Sequence, residues 1–284
     1  MLLDDFQKEI LEVIRNNRTA SSPFAGSSVI QQHGFCLTDD QDIFIAGDPE
    51  PVMRQDAQAL KTAGFTVEET KSFEGFRECR VTKPGTGTAI LQWAQALALE
   101  YFAPLPDPAF GQRLHFADLS VNKTLAAAGR VAMRDFIDLW MLDRHVMPLW
   151  RMACAASGKF PQEAPLSLVE MISRNLVPAV ARDTYEAKIL TTADLPEGEP
   201  TAGLRAAIDK AREILPHMPG ERLGKLQLDS RLQPMLSLEP VETPEDSWIR
   251  PSPGGAMPAI EGMDGEMIAA LIAEYGEHGS RYTG

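Results

Sequence analysis

Two short clusters in this 284-residue chain combine residue types that work together on phosphates. The first is Ala25-Gly26-Ser27-Ser28. The second is Asp40-Gln41-Asp42, and twelve residues separate Ser27 from Asp40. The segment Gln41 to Ile45 reads as a strand, so alternation puts the Asp40 and Asp42 carboxylates on one face, about 7 Å apart along the chain. Acids so placed repel each other, and a buried pair is tolerated only with a cation or a proton. Mg²⁺ fits, because it takes oxygen ligands and commonly arrives with substrate phosphates. Gly26 lets the backbone approach a phosphate closely, and Ser27 and Ser28 offer hydroxyls at the start of a helix, whose free N–H groups favour an anion. Together these parts would hold a Mg²⁺-bound nucleoside triphosphate (NTP) for in-line attack at phosphorus. The plainer alternative for each half is a helix cap and a turn with solvated acids.

The elements that must position these groups follow from periodicity. Asp4 to Asn17 predicts an amphipathic helix, with Phe6, Ile10, Leu11 and Ile14 at helical spacing. Ser27 to His33 predicts a short helix ended by Gly34, and Pro51 to Ala63 a longer one ended by Gly64. Phe65 to Glu69, Phe76 to Val81 and Thr88 to Trp93 predict strands, the last two joined across Lys83-Pro84-Gly85. The pattern then turns helical: Leu119 to Ala128, Met133 to Asp143, Leu166 to Ile172 and Gly203 to Leu215. From Pro219 to Pro258 seven of 40 residues are proline, which predicts an extended arm or a partly disordered linker. Met263 to Tyr275 predicts a last helix, docked on its own body or on a partner chain. The fold class is α+β: a small mixed β-sheet core flanked by helices over 1–110, a helical domain over 111–217, and a Pro-rich acidic arm with a terminal helix over 218–284.

Composition narrows the function classes. No apolar run is long enough for a transmembrane helix, and the N-terminus does not read as a secretory signal. Three separated cysteines (Cys36, Cys79, Cys154) point to reduced, mostly buried thiols in the cytoplasm rather than a disulfide framework. The net charge of −13 argues against a general nucleic-acid binder. Residues 113–159 run the other way, with seven basic residues against four acidic ones, a stretch able to meet a phosphate or to form solvated helix faces.

A second stretch is more specific. It runs Phe116-Ala-Asp-Leu-Ser-Val-Asn-Lys-Thr-Leu-Ala-Ala-Ala-Gly-Arg130 and continues Met133-Arg-Asp-Phe-Ile-Asp-Leu-Trp140. It resembles the "DLAxNKxLAxxxR…RDxxDL" signature of the AbiEii/AbiGii-type nucleotidyltransferase toxins. The Gly-Ser, short helix and Asp-x-Asp order resembles the wider DNA polymerase β-like nucleotidyltransferase superfamily. The resemblance spans roughly residues 20–230. It implies a nucleotidyltransferase core in which Gly26, Ser27 and Ser28 hold the triphosphate and Asp40 and Asp42 bind Mg²⁺. It further implies that Lys123 contacts the nucleotide or its phosphates and that Asp138 orients it or shares its pocket. Without the resemblance, Lys123 reads as a solvated lysine and Asp138 as an i,i+4 partner of Arg134.

Two departures stand out. Superfamily enzymes usually carry a third carboxylate on a later strand to help deprotonate the attacking hydroxyl. Here Thr88 to Trp93 carries Gln92 and no acid, leaving Glu78 on the neighbouring strand as the substitute or as a surface acid. The residue before Gly26 is Ala25, where a second glycine is common. The expected activity is transfer of a nucleoside monophosphate from an NTP to a hydroxyl of a tRNA 3′ end, a protein or a small molecule. The alternative is a catalytically degenerate nucleotide-binding protein acting as an interaction or regulatory module. In either case a cognate antitoxin or a second copy is the expected partner of the acidic tail, and no membrane is involved.

Overall fold

The computed structural model describes residues 3–33, 38, 40–96, 99–182, 198–260 and 262–275. Cys36 and Gly34 lie outside the described residues. Helix α1 (Asp5–Ile14) starts in a capping box, in which Asp4 accepts from the Gln7 amide at 2.6 Å and Gln7 accepts from the Asp4 amide at 3.0 Å. The chain then forms β1 (Phe24–Ala25), α2 (Gly26–Ile30), β2 (Asp40–Ile45), α3 (Pro49–Thr62), β3 (Thr66–Phe73), β4 (Phe76–Lys83) and β5 (Gly87–Gln95). Short strands β6 (Leu99–Glu100), β7 (Leu105–Asp107) and β8 (Gly111–Arg113) lead into the helices. These are α4 (Phe116–Gly129), α5 (Met133–His145), α6 (Leu149–Lys159), α7 (Pro165–Arg182) and α8 (Glu199–Ile214).

Seven strands form one mixed sheet in the order β3-β4-β5-β2-β1-β8-β7. The β2–β5 and β1–β8 pairs are parallel and the rest antiparallel. The fold is therefore α+β, with a mixed-sheet core and a helical region after it. Strand β2 shows why the sheet presents two chemistries. Its odd positions, Gln41, Ile43 and Ile45, are buried, and Gln41 donates to a carbonyl of α1. Its even positions, Asp40, Asp42 and Phe44, turn to the opposite face, over which α4 lies.

Helix α3 is fixed by a buried network. Asp56 pairs with Arg18 and accepts from Trp93 Nε1 at 2.8 Å and Asn17 Nδ2 at 2.9 Å. Burial lowers the Arg18 pKa, and the Asp56 charge works against that loss.

Several elements escape periodicity. β1, β7 and β8 are two or three residues long, too short to show alternation. α6, rich in small residues, was not expected. α4 begins at Phe116 because His115 caps it, its Nδ1 accepting from the Ala117 amide at 3.0 Å.

The proline-rich stretch is an ordered strap rather than a loose linker. Within it β9 (Leu226–Gln227) pairs with β10 (Trp248–Ile249), and β11 (Ser252–Pro253) pairs with β6. Arg151 lies over the Trp150 ring at 3.9 Å and donates to the carbonyls of Ser237 and Glu239. Those bonds supply donors that proline cannot. The last helix, α9 (Gly265–Tyr275), docks on its own body, burying Met267, Leu271 and Tyr275, and Asp264 just before it pairs with buried Arg113 at 2.6 Å. Cys79 and Cys154 are buried and unpaired. Among the described residues no helix is long and apolar enough to cross a membrane.

The Asp56 network predicts a large, specific stability loss. Asp56→Ala leaves the Arg18 charge buried without its acid and should cost about 3–5 kcal/mol, read as a lower urea midpoint.

Candidate active site

Ala25 pairs with Asp42 across the β1–β2 ladder, so the turn from β1 into α2 lies directly beside the Asp42 side chain. Gly26 makes that turn with φ +70°, and a Cβ built on it would fall 1.9 Å from Asp42 Oδ2. Glycine is needed there on two counts, the left-handed backbone and the close approach.

Ser27, the next residue, is drawn into a buried ionic knot beneath the cleft. Its hydroxyl donates to Asp138 Oδ2 at 2.7 Å and accepts from Lys123 Nζ at 3.0 Å. Lys123 also lies 2.9 Å from Asp135 Oδ1 and 2.9 Å from Asp138 Oδ2. Gln31 donates to the other Asp138 oxygen at 2.6 Å, and Arg130 donates to both oxygens of Asp135 at 2.6 and 3.0 Å. Burial opposes the Lys123 charge, but Asp138 and Asp135 outweigh it and raise its pKa. Burial likewise pushes Asp135 up, yet Lys123 and Arg130 hold it at about 2.

The structure thus gathers Gly26, Ser27, Lys123, Asp138, Asp40 and Asp42 around one region. Asp138 turns to Lys123 and Ser27, whereas Arg134 reaches Asp40 at 3.4 Å, so the helix-face pair between Arg134 and Asp138 is not formed. Ser28 is fully buried and donates to the Ala25 carbonyl at 3.3 Å, which braces the turn. Asp135, Arg130 and Gln31 were given no role from sequence. The available signal was spacing: Asp135 and Asp138 share a helix face three apart, and Lys123 and Arg130 share one seven apart.

Gly26, Asp42, Lys123 and Arg130 line a cleft of about 360 Å³ between the sheet and α4. Phe44, Phe76, Ala94, Leu119 and Ala126 make much of the remaining wall. Burial, and then the Asp40 charge, push the Asp42 carboxyl up to about 7, against the pull of Lys123, Arg130 and Arg134. An acid that keeps a proton near neutrality beside a second acid is under-compensated, and a divalent cation fits that deficit with Asp40 and Asp42 as its oxygen ligands. The opposite wall carries Lys123, whose ammonium is taken up by Ser27, Asp135 and Asp138, and the Arg130 side chain, 64% exposed, which suits an anion.

The third carboxylate has no counterpart opposite Asp42. That position on β5 is Gln92, whose Nε2 donates to Glu78 Oε2 at 2.9 Å. Glu78 also accepts from Thr70 at 2.9 Å and Lys71 at 2.8 Å, and it lies a further strand away, about 10 Å from the β2 axis. Among the described residues no group of three or more His, Cys, Asp or Glu side chains is placed to hold a metal. The basic stretch is mostly interior: Arg113, Lys123, Arg151 and Lys159 are all buried in the fold.

The mixed sheet with a helical region after it is a fold shared with a nucleotidyltransferase toxin of known structure. The chain is similar to MenT4, a nucleotidyltransferase toxin from Mycobacterium tuberculosis H37Rv, with a TM-score of 0.50 and 15% identity over 76% of this chain and 83% of that one. No protein-family model matches the chain, and no curated protein matches it.

Two measurements check this geometry. Gly26→Ala should lose about 1–3 kcal/mol of stability, read by urea unfolding, because it strains the backbone and displaces Asp42. The Asp42 carboxyl titrates near 3.8 unfolded and near 7 folded, so the folded chain binds more protons between those values and loses stability as pH rises through them. Asp42→Asn, which does not titrate, should therefore exceed the wild type by about 1–3 kcal/mol at about pH 8 in chelator, an advantage that fades by about pH 4.

Proposed function

We propose that this protein is a Mg²⁺-dependent nucleotidyltransferase of the AbiEii/AbiGii type, moving a nucleoside monophosphate from an NTP to a hydroxyl. The observation that carries the reading is the coupling of two halves of one cleft. Gly26 is pressed against Asp42, while its neighbour Ser27 is bonded into the Lys123–Asp135–Asp138 knot. In this reading Gly26 and Ser27 receive the triphosphate, and Lys123 and Arg130 neutralise its charge. Asp138 and Asp135 keep Lys123 charged and aimed. Ser28 supports the turn from beneath. Mg²⁺, held by Asp40 and Asp42, would offset charge on the phosphates and polarise the α-phosphorus.

The acceptor oxygen forms a bond to the α-phosphorus as the bond to the bridging oxygen breaks, and pyrophosphate leaves with its electron pair. The acceptor proton passes to solvent, since Gln92 occupies the place of a base. A tRNA 3′ end in the cytoplasm is the acceptor implied by the toxin resemblance, with a cognate antitoxin as partner. A second copy of this chain is the alternative partner. The second reading, Mg²⁺-dependent nucleotide binding without transfer, is favoured by one observation: Gln92 opposite Asp42, with Glu78 committed elsewhere.

The test incubates the protein with Mg²⁺, each α-labelled NTP, and total tRNA or protein extract. Label should move to a macromolecule and fall at least about 100-fold in Asp40→Asn/Asp42→Asn, in line with loss of the charge-stabilising groups. Mg²⁺-dependent NTP binding without transfer would establish the second reading. Neither binding nor transfer would overturn both.

A further inference from the structure

Asn122 lies on α4 immediately before Lys123 and lines the same cleft, between Leu119 and Ala126 one turn to either side. Its side-chain oxygen, Oδ1, lies 3.1 Å from Lys159 Nζ. An ammonium group only donates, so the Asn122 atom facing it must be the carbonyl oxygen, and the planar amide must turn its NH₂ the other way. Lys159 cannot follow a swinging amide. It is 4% exposed, pairs with Glu100, and lies 2.8 Å from Asp118 Oδ1. Asp118 is itself pinned by the backbone amides of Tyr101 at 2.8 Å and Phe102 at 2.9 Å.

We infer that Asn122 is a fixed hydrogen-bond donor of the cleft that reads an uncharged acceptor atom on the nucleoside half of the triphosphate, and that Lys159 is its positioning residue. The inference rests on the nucleotidyltransferase reading and deepens it. The wall around Asn122 is apolar, made by Leu119, Ala126, Phe44 and Phe76, whereas the phosphate-neutralising groups are Lys123 and Arg130. A neutral donor set in an apolar wall suits a sugar hydroxyl or a base carbonyl rather than a phosphate. A nucleotide that offers no acceptor there leaves the NH₂ unpaired when the cleft closes over it, and that is a basis for selection.

The test is isothermal titration of the full chain, in Mg²⁺, with the four NTPs, the four 2′-deoxy-NTPs and inorganic tripolyphosphate. Wild type is compared with Asn122→Asp, which keeps an oxygen for Lys159 but loses the donor, and with Asn122→Leu, which loses both. Circular dichroism verifies the fold of each. Both variants should bind the preferred nucleotide roughly three- to tenfold more weakly and lose discrimination, while tripolyphosphate binds the uncharged Asn122→Leu as it binds the wild type. Loss of a preference for NTP over deoxy-NTP would assign the acceptor to the 2′ hydroxyl; loss of a preference among bases would assign it to the base. Unchanged selectivity in both variants, or an equal loss of tripolyphosphate affinity in Asn122→Leu, would overturn the inference while leaving the transfer reading intact. A wild type that binds no nucleotide would overturn both.

Discussion

The Lys123 ammonium, buried among two carboxylates and a hydroxyl, is the contact on which the arrangement of this molecule depends. Taking such charges out of water costs several kcal/mol each, and the cost is met only when every partner is in place. Lys123 comes from α4, Asp135 and Asp138 from α5, and Ser27 and Gln31 from the segment before β2. The knot therefore fixes two helices against each other and against the glycine turn. With Arg130 bonded to Asp135, two positive groups meet two negative ones, so the cluster is close to neutral. That balance leaves Lys123 at the cleft wall with its charge guaranteed and its position set.

Across the cleft the balance is different. Asp42 is crowded against the backbone of Gly26 and faces the charge of Asp40, and the pull of Lys123, Arg130 and Arg134 does not offset its burial. One wall is therefore electrostatically satisfied and the other carries a deficit that a cation would remove. Sites commonly keep local instability where chemistry needs it, supported by rigid surroundings. Here the support comes from β1, β2 and β5 hydrogen-bonded side by side, and from the Asp56–Arg18–Trp93 network on the far face.

A second set of buried ion pairs ties the helical region to β6 and the start of the last helix to the sheet. Lys159 bridges Glu100 and Asp118, and Arg113 bridges Asp107 and Asp264. Three of these four pairs link positions far apart in sequence, and with Lys123 and Arg151 they leave four of the seven basic residues of the 113–159 stretch buried. What reads along the chain as a local positive surface is largely interior wiring.

Much of the site was legible in the sequence because its parts are local. The glycine-serine turn marks Gly26 and Ser27 and the period of a strand places Asp40 with Asp42, whereas Lys123 and Asp138 were legible only through the family resemblance, and Asp135 and Arg130 not at all. The longer elements were legible for the same reason, since α1, α3 and β2 repeat their pattern over enough residues to be read. Tertiary structure alone decided which partner each charge takes. Asp138 had Arg134 one turn away and instead meets Lys123 and Ser27, because the packing of α4 and α2 against α5 brings those groups to it. Likewise only the sheet order set Gln92 rather than Glu78 opposite Asp42. Pairing across strands and between helices is fixed by packing of the whole core, and no local period encodes it.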